Sequence, residues 1–243
     1  MRILMLGNSF TFYNDMPKTL AQLTGAEVVA HTRGGAWLAE QLNPETEMGR
    51  RTLAALEQEK WDFVVMQEQS HGAITAKASF MKSVAALCEK ARAAGAVPVL
   101  YATWAYARDC DRLAELGLTY DEMALKLNES YHEAAEQNQA LVAEVGMHFH
   151  DLADSLDLYT EDRKHPNEYG SFIAADVLAD VMVGKNKKLR QGSTQQITEA
   201  EMRMLDRFFR EEIEAKRLDD SFARLREELR HLPPVGDDET SLY

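Results

Sequence analysis

A serine near the start of the chain and a histidine far downstream could together carry out nucleophilic chemistry. Ser9 follows Gly7 and Asn8 directly after a short apolar run, so it would lie at the carboxyl end of a strand. A serine hydroxyl is a weak nucleophile until a neighbouring imidazole accepts its proton, and His165 is the candidate imidazole. Asp162, on the same turn as His165, could fix the tautomer of the ring and stabilise its charged form. These residues predict a Ser-His-Asp site for acyl transfer.

Each of these residues also has an ordinary structural explanation. A serine after a strand is often a turn or N-cap residue. His165 could be incidental in an Asp-rich loop that leads to a helix N-cap at Asn167. The chain contains no G-x-S-x-G motif, so a nucleophilic Ser9 would belong to a fold other than that of the α/β-hydrolases.

Two further loops could donate hydrogen bonds to the negative charge that develops on an acyl oxygen. Gly34 and Gly35 follow the second apolar run, where a glycine lets a backbone N–H approach a ligand. Gln67, Glu68 and Gln69 follow the third run, and a side-chain amide there could donate to an oxyanion. Ordinary turn chemistry would explain both loops equally well.

Short apolar runs alternate with helical patterns and predict the elements that position these loops. The predicted strands cover residues 2–6, 27–31, 63–66, 97–101 and 147–150. The predicted helices cover residues 16–23, 49–58, 75–94, 120–145 and 172–183. Continuous apolar runs suit strands buried on both faces. We therefore predict a three-layer α/β/α, flavodoxin-like sandwich with a five-stranded parallel sheet in the order 2-1-3-4-5, whose carboxyl edge holds the ligand.

The last quarter of the chain differs from this pattern. Residues 1–183 are predicted to form the catalytic domain, and residues 184–243 a linker followed by a C-terminal helical extension. A capping box from Thr198 to Glu201 opens the extension, which is highly charged. The extension could pack on the domain, cap the active site or join two copies of the chain into a homo-oligomer.

Composition and charge exclude several classes of partner. The chain has 27 Lys and Arg against 40 Asp and Glu, a formal net charge of -13. This disfavours nucleic acids and anionic membrane surfaces. No apolar run approaches the ~18 residues of a membrane span. Because a buried strand is predicted from residue 2, where a leader peptide would otherwise stand, we expect a cytoplasmic protein.

Neither the cysteines nor the remaining histidines form a recognisable metal motif. Cys88 and Cys110 have no metal-like spacing, and Cys88 lies on an apolar helix face that predicts a buried thiol. A metal-dependent hydrolase is nevertheless a rival interpretation. Its candidates are His132 and Glu133, where Glu136 stands in place of the second His of H-E-x-x-H, and the group His148, His150 and Asp151. We predict no metal ion and no cofactor.

Taken together, the candidate positions resemble the SGNH (GDSL-like) hydrolases over about residues 1–183. That family has a nucleophilic Ser after strand one, a Gly after strand two, an amide after strand three and D-x-x-H near the end. The strongest match is D-x-x-H-P-N-x-x-G, from Asp162 to Gly170. The sequence GNSFT at residues 7–11 matches the first block, with Asn8 where many members have Asp, and Gly35 fits the second.

The third block departs from the common G-x-N-D form. Gln67-Glu68-Gln69 is more similar to the Q-G-E form of carbohydrate acetylesterase-type members. The resemblance implies an oxyanion hole made by Ser9, Gly35 and Gln67, with Gln69 as the competing donor. It also implies a serine esterase that forms an acyl-enzyme on Ser9.

The substrate implied is a small-molecule or oligosaccharide ester, with O-acetyl groups on a carbohydrate favoured. Aromatic side chains near the strand ends could stack on a sugar, although a core role is equally open to them. The predicted substrate-binding residues are Asn8, Gly34, Trp37, Glu68 and Trp104. A lipid or thioester acyl hydrolase and a catalytically silent carbohydrate-binding relative remain as alternatives.

Overall fold

A parallel sheet forms the centre of the molecule. The computed structural model describes residues 1–184, so the predicted helical extension lies outside the described residues. The strands are β1 Arg2–Gly7, β2 Glu27–Thr32, β3 Phe63–Met66, β4 Val97–Tyr101 and β5 Leu141–Ala143. All pairings are parallel, and the strand order is β2-β1-β3-β4-β5. The predicted order is therefore confirmed.

Helices cover both faces of this sheet. They are α1 Ser9–Phe12, α2 Met16–Thr24, α3 Leu38–Gln41, α4 Glu47–Gln58, α5 Gly72–Thr75, α6 Lys77–Ala93, α7 Asp111–Leu116, α8 Tyr120–Asn138, α9 Val145–Leu152 and α10 Glu168–Val183. Helix α2 packs on α10, whereas α6 packs on α4 and α8. This division is what right-handed crossovers between parallel strands produce. With a layer on either side, the central strands are buried, as their apolar sequences predict.

The prediction of a fifth strand at residues 147–150 is wrong. Helix α8 ends at Asn138, and Gln139 turns the chain with a positive φ of 49° into a short β5. Residues 147–150 lie instead in α9, where Val145 and Phe149 are both buried. Their i, i+4 spacing is that of one helix face, and the intervening polar residues imitate the alternation of a strand.

A buried histidine lies at the end of β2 and takes no part in the predicted chemistry. His31 is only 4% exposed. Its Nδ1 lies 3.0 Å from Oγ1 of Thr52, whose hydroxyl donates to Oε1 of Gln41 at 2.6 Å. Because the Thr52 proton is already given to Gln41, Nδ1 of His31 must donate to Thr52. Burial, assisted by the charge of Arg51, lowers the pKa of His31 to about 4.

This histidine predicts a loss of stability in mild acid. In the unfolded chain its pKa is about 6.5, so between pH 6.5 and pH 4 the unfolded state binds more protons than the folded state. The free energy of unfolding should therefore fall by about 2 kcal/mol between pH 8 and pH 5. Denaturant titrations across this range measure the slope. The His31→Gln variant should lose that contribution, whereas His148→Gln, at an exposed site, should keep it. An unchanged slope in His31→Gln would contradict the assignment.

Candidate active site

The serine predicted as nucleophile begins a short helix at the carboxyl end of β1. Asn8 is the N-cap of α1, and its Oδ1 accepts from the backbone N–H of Phe10 at 3.1 Å. Its Nδ2 donates to the carbonyl of Ala36 at 3.0 Å, which ties the Ser9 turn to the loop after β2. Position 7 suits only glycine, because the neighbouring side chains approach its backbone closely and a Cβ there would lie 2.4 Å from Oγ1 of Thr11. The turn that presents Ser9 is thus fixed from both sides.

His165 lies between Ser9 and Asp162 and is hydrogen-bonded to both. Its Nε2 is 2.8 Å from Oγ of Ser9, and its Nδ1 is 2.5 Å from Oδ2 of Asp162. Since the ionised carboxylate can only accept, Nδ1 carries the proton and Nε2 is left free to accept from the serine hydroxyl. This is the arrangement in which an imidazole acts as a general base toward a serine.

Asp162 is held in its ionised form. Its Oδ1 accepts from the backbone N–H groups of Lys164 and His165 and from the hydroxyl of Thr160, each at 2.9 Å. Partial burial alone would raise the pKa of Asp162, but these donors and the His165 ring together hold it well below its usual range. The carboxylate therefore remains charged beside the imidazole throughout the neutral pH range.

The loop that carries His165 is anchored from three directions. Trp104 donates its indole N–H to the carbonyl of Lys164 at 3.0 Å, and Asn14 donates to the carbonyl of Pro166 at the same distance. Tyr13 stacks on the His165 ring with centroids 4.3 Å apart. Sequence reasoning missed Asn14 as an anchor. Its positive φ of 52° is required by the tight turn before α2, and a sequence does not display this.

The backbone N–H groups of Ser9 and Gly35 are available to an oxyanion. Gly35 adopts a positive φ of 68°, in a turn where the N–H of Ala36 donates to the carbonyl of Arg33 at 3.0 Å. Within residues 1–184, no acceptor takes up the backbone N–H of Ser9 or of Gly35. Both residues line the same cleft as His165. The structure thus brings together the predicted nucleophile, base and glycine.

The cleft in front of Ser9 has a volume of about 570 Å³ and is open to solvent. Its walls are formed by the segments that follow β1, β2, β3 and β4, by α7 and by the loop that carries His165. Its lining residues are Asn8, Ser9, Phe10, Phe12, Tyr13, Gly34, Gly35, Gln69, Ser70, His71, Tyr106, Arg112, Lys164 and His165. The predicted contacts Asn8 and Gly34 are among them. Sequence reasoning did not identify the cleft members Arg112, Lys164 and His71, because no local pattern marks which polar residues near the strand ends line a cleft.

Comparison with known proteins identifies the family. No family model matches the sequence, and no curated protein matches it. Among solved structures, a protein from Slackia heliotrinireducens that is described as belonging to the SGNH hydrolases is 52% identical, with a TM-score of 0.72, over 75% of this chain and 98% of its own. The chain belongs to the SGNH hydrolases. The predicted family and the predicted enzyme class are both confirmed at this level.

Two solved structures of much lower identity share the fold of this SGNH hydrolase. A GDSL-like lipase from Parabacteroides merdae is 13% identical, with a TM-score of 0.57 over 76% of this chain and 96% of its own. An acetylxylan esterase from Geobacillus stearothermophilus is also 13% identical, with a TM-score of 0.55 over 74% and 93%. At this identity the likeness is one of fold alone.

The third block of this SGNH hydrolase places its two glutamines differently. Gln67 is fully buried, and its Oε1 accepts from the backbone N–H of Asn8 and from the hydroxyl of Thr11, both at 2.9 Å. Its Nε2 donates to the carbonyl of Glu68. Gln69 lines the cleft, and its Nε2 donates to Oγ of Ser70 at 2.9 Å. This placement favours Gln69 over Gln67, the first choice of oxyanion donor, because Gln69 lines the cleft whereas Gln67 is fully buried and does not line it.

Three predicted substrate contacts do not reach the cleft of this SGNH hydrolase. Trp104 is fully buried and stacks between Phe10 and Phe149. Trp37 is half-buried and packs against Gly72, where a Cβ would lie 2.8 Å from its ring. Glu68 is also buried. The prediction of substrate-binding roles for Trp37, Glu68 and Trp104 needs correction, because a position after a strand does not decide which way a side chain points.

Glu68 instead links the two loops that surround Ser9. Its Oε1 accepts from the backbone N–H of Leu38 at 3.2 Å and from that of Gln69 at 2.6 Å. Burial raises the pKa of this carboxyl group, and these hydrogen bonds act in the opposite direction. The carboxyl therefore has a positioning role, since it fixes the Gln69 loop to the start of α3.

The histidines of the metal-dependent rival have other partners. His132 lies 2.6 Å from a carboxylate oxygen of Glu144, and His150 lies 3.1 Å from one of Asp121. In the described part of the chain, no group of three or more His, Cys, Asp or Glu side chains is placed to hold a metal ion.

Cys88 is buried as predicted, and burial raises its pKa to about 11. No helix among residues 1–184 is long and apolar enough to cross a membrane.

Proposed function

We propose that this SGNH hydrolase is a serine esterase that removes O-acetyl groups from a carbohydrate. The observation that carries the proposal is the hydrogen bond of 2.8 Å between Oγ of Ser9 and Nε2 of His165. The bond of Nδ1 of His165 to the ionised Asp162 holds the imidazole in the orientation that this contact needs. A serine activated in this way, at the base of an open cleft, has the requirements for nucleophilic attack on an ester.

The reaction would proceed in two steps. His165 accepts the Ser9 proton at Nε2 while Oγ attacks the ester carbonyl carbon, and the carbonyl oxygen becomes an oxyanion. The backbone N–H groups of Ser9 and Gly35 and the side-chain amide of Gln69 would donate to this oxyanion. When the tetrahedral intermediate collapses, His165 returns the proton to the departing sugar alcohol, leaving an acetyl group on Ser9. Water, deprotonated by His165, then attacks the acyl-enzyme; the bond between Oγ of Ser9 and the acetyl carbon breaks, His165 returns the proton to Oγ, and acetate is released.

Support for a carbohydrate acetate comes from the third block and from the cleft walls. Gln67-Glu68-Gln69 resembles the form found in carbohydrate acetylesterase-type members. Phe12, Tyr13 and Tyr106 line the cleft, and aromatic rings offer apolar faces together with polar edges to a sugar ring. The acetylxylan esterase that shares the fold is consistent with the same substrate class.

A series of esters tests the proposal. The purified full-length chain should hydrolyse p-nitrophenyl acetate and release acetate from an acetylated xylo-oligosaccharide. We expect kcat/KM not to rise from the acetyl to the octanoyl ester, because an acyl chain that remains in water on binding gains no free energy from burial. Faster hydrolysis of the octanoyl ester would support the lipid or thioester alternative. Binding of the sugar with no turnover of any ester would support the silent carbohydrate-binding alternative.

A further inference from the structure

The charged side chains that line the cleft are basic, although the chain as a whole is acidic. The protein carries a formal net charge of -13, with 40 acidic against 27 basic residues. Yet Arg112 and Lys164 line the cleft together with His71 and His165, and among the described residues no Asp or Glu lines it. A basic cleft in an acidic protein concentrates anionic ligands, since field lines focus into a concave surface.

Arg112 is positioned to take part in binding. It extends from α7, and its side chain is about half-exposed. One terminal nitrogen pairs with Glu115 on the same helix, but a guanidinium has five donors, so others remain for a ligand. The charge of Arg112 acts on two cleft side chains. Together with burial it lowers the pKa of His71, and it opposes the effect of burial on Tyr106.

Lys164 supplies a second positive charge beside the catalytic histidine. Its backbone is fixed by the N–H bond to Asp162 and by the indole of Trp104, each at about 3 Å. Glu115 offsets one of the two basic charges. Asp162, ionised beside His165, offsets the other, but neither carboxylate lines the cleft, so the charged groups that a ligand would meet there are Arg112 and Lys164.

We propose that the carbohydrate esters accepted by this cleft carry a carboxylate, which Arg112 binds with Lys164 nearby. The inference rests on the proposed esterase function. It identifies the substrate class as an O-acetylated acidic sugar rather than a neutral one. The planar guanidinium presents two parallel N–H donors that fit the two oxygens of a carboxylate.

A matched pair of substrates tests this specificity. Methyl glycosides of mono-O-acetylated glucuronic acid and of mono-O-acetylated glucose differ in the carboxylate, and p-nitrophenyl acetate reports esterase activity by itself. We expect kcat/KM for the acidic sugar to exceed that for the neutral one by about tenfold. This ratio should fall toward one in Arg112→Gln, mainly through KM, because the contact is made equally in ground and transition states. It should also fall as the salt concentration rises.

Arg108→Gln is the matched control. Arg108 precedes α7, is exposed, pairs with Asp121 and does not line the cleft, so the ratio should stay at the wild-type value. Equal kcat/KM for the two sugars, or an unchanged ratio in Arg112→Gln, would overturn the inference. Calorimetric binding of the two non-acetylated glycosides needs no turnover. It therefore tests the carboxylate preference even if p-nitrophenyl acetate is not hydrolysed, a result that would count against the esterase function instead.

Discussion

Replacement of Ser9 by alanine is expected to lower kcat by about 10³ to 10⁶-fold, with the fold intact. The variant removes the atom on which the proposed acyl-enzyme would form, while the backbone N–H groups of residues 9 and 35 remain as the proposed oxyanion donors. Stability should change little, because Ser9 is half-buried and the bond of its Oγ to His165 is only partly shielded from solvent. The measurement is kcat on p-nitrophenyl acetate together with the unfolding midpoint of each protein.

Two further readouts make this result specific. A serine-reactive phosphonate followed by peptide mass mapping should place the label on Ser9. The variant should remain unlabelled, whereas Ser79→Ala, at an exposed site on α6, should react as the wild type does. His165→Gln should lose a similar factor, and the double variant should lose no more than either single one, because the two residues act as a unit. Full activity in Ser9→Ala, or a label on another serine, would refute the proposed mechanism.

The sheet and the grouping of Ser9, His165 and Asp162 could be predicted from patterns that each lie within a short stretch of sequence. Strands buried on both faces must be apolar throughout, so β1, β3 and β4 are visible as continuous runs. Parallel strands bring their carboxyl ends to one edge, which places Ser9 and Gly35 together without knowledge of any contact. Asp162 and His165 share one turn, so their contact follows from their spacing.

The remaining features depend on tertiary contacts that no local pattern carries. Residues 147–150 imitate a strand because His148 and His150 alternate with apolar residues, and only packing shows that Val145 and Phe149 form a buried helix face. Trp104 follows β4, a position from which a side chain could reach a substrate. Its indole N–H nevertheless donates to the carbonyl of Lys164 in the loop of His165. The direction of a side chain after a strand is set by the loop packed against it.

The two glutamines show the same limit and lead to the second prediction. Gln69→Ala should lower kcat by about 10² to 10³-fold with little change in KM or stability, because an oxyanion donor acts mainly in the transition state. Gln67→Ala should instead lower the free energy of unfolding by about 1–3 kcal/mol, since the buried N–H of Asn8 loses its acceptor. Steady-state kinetics and denaturant unfolding of both variants separate the two roles. If Gln69→Ala keeps the wild-type kcat while a folded Gln67→Ala loses it, Gln67 is the donor, and its amide must leave the carbonyl of Glu68 when the substrate binds.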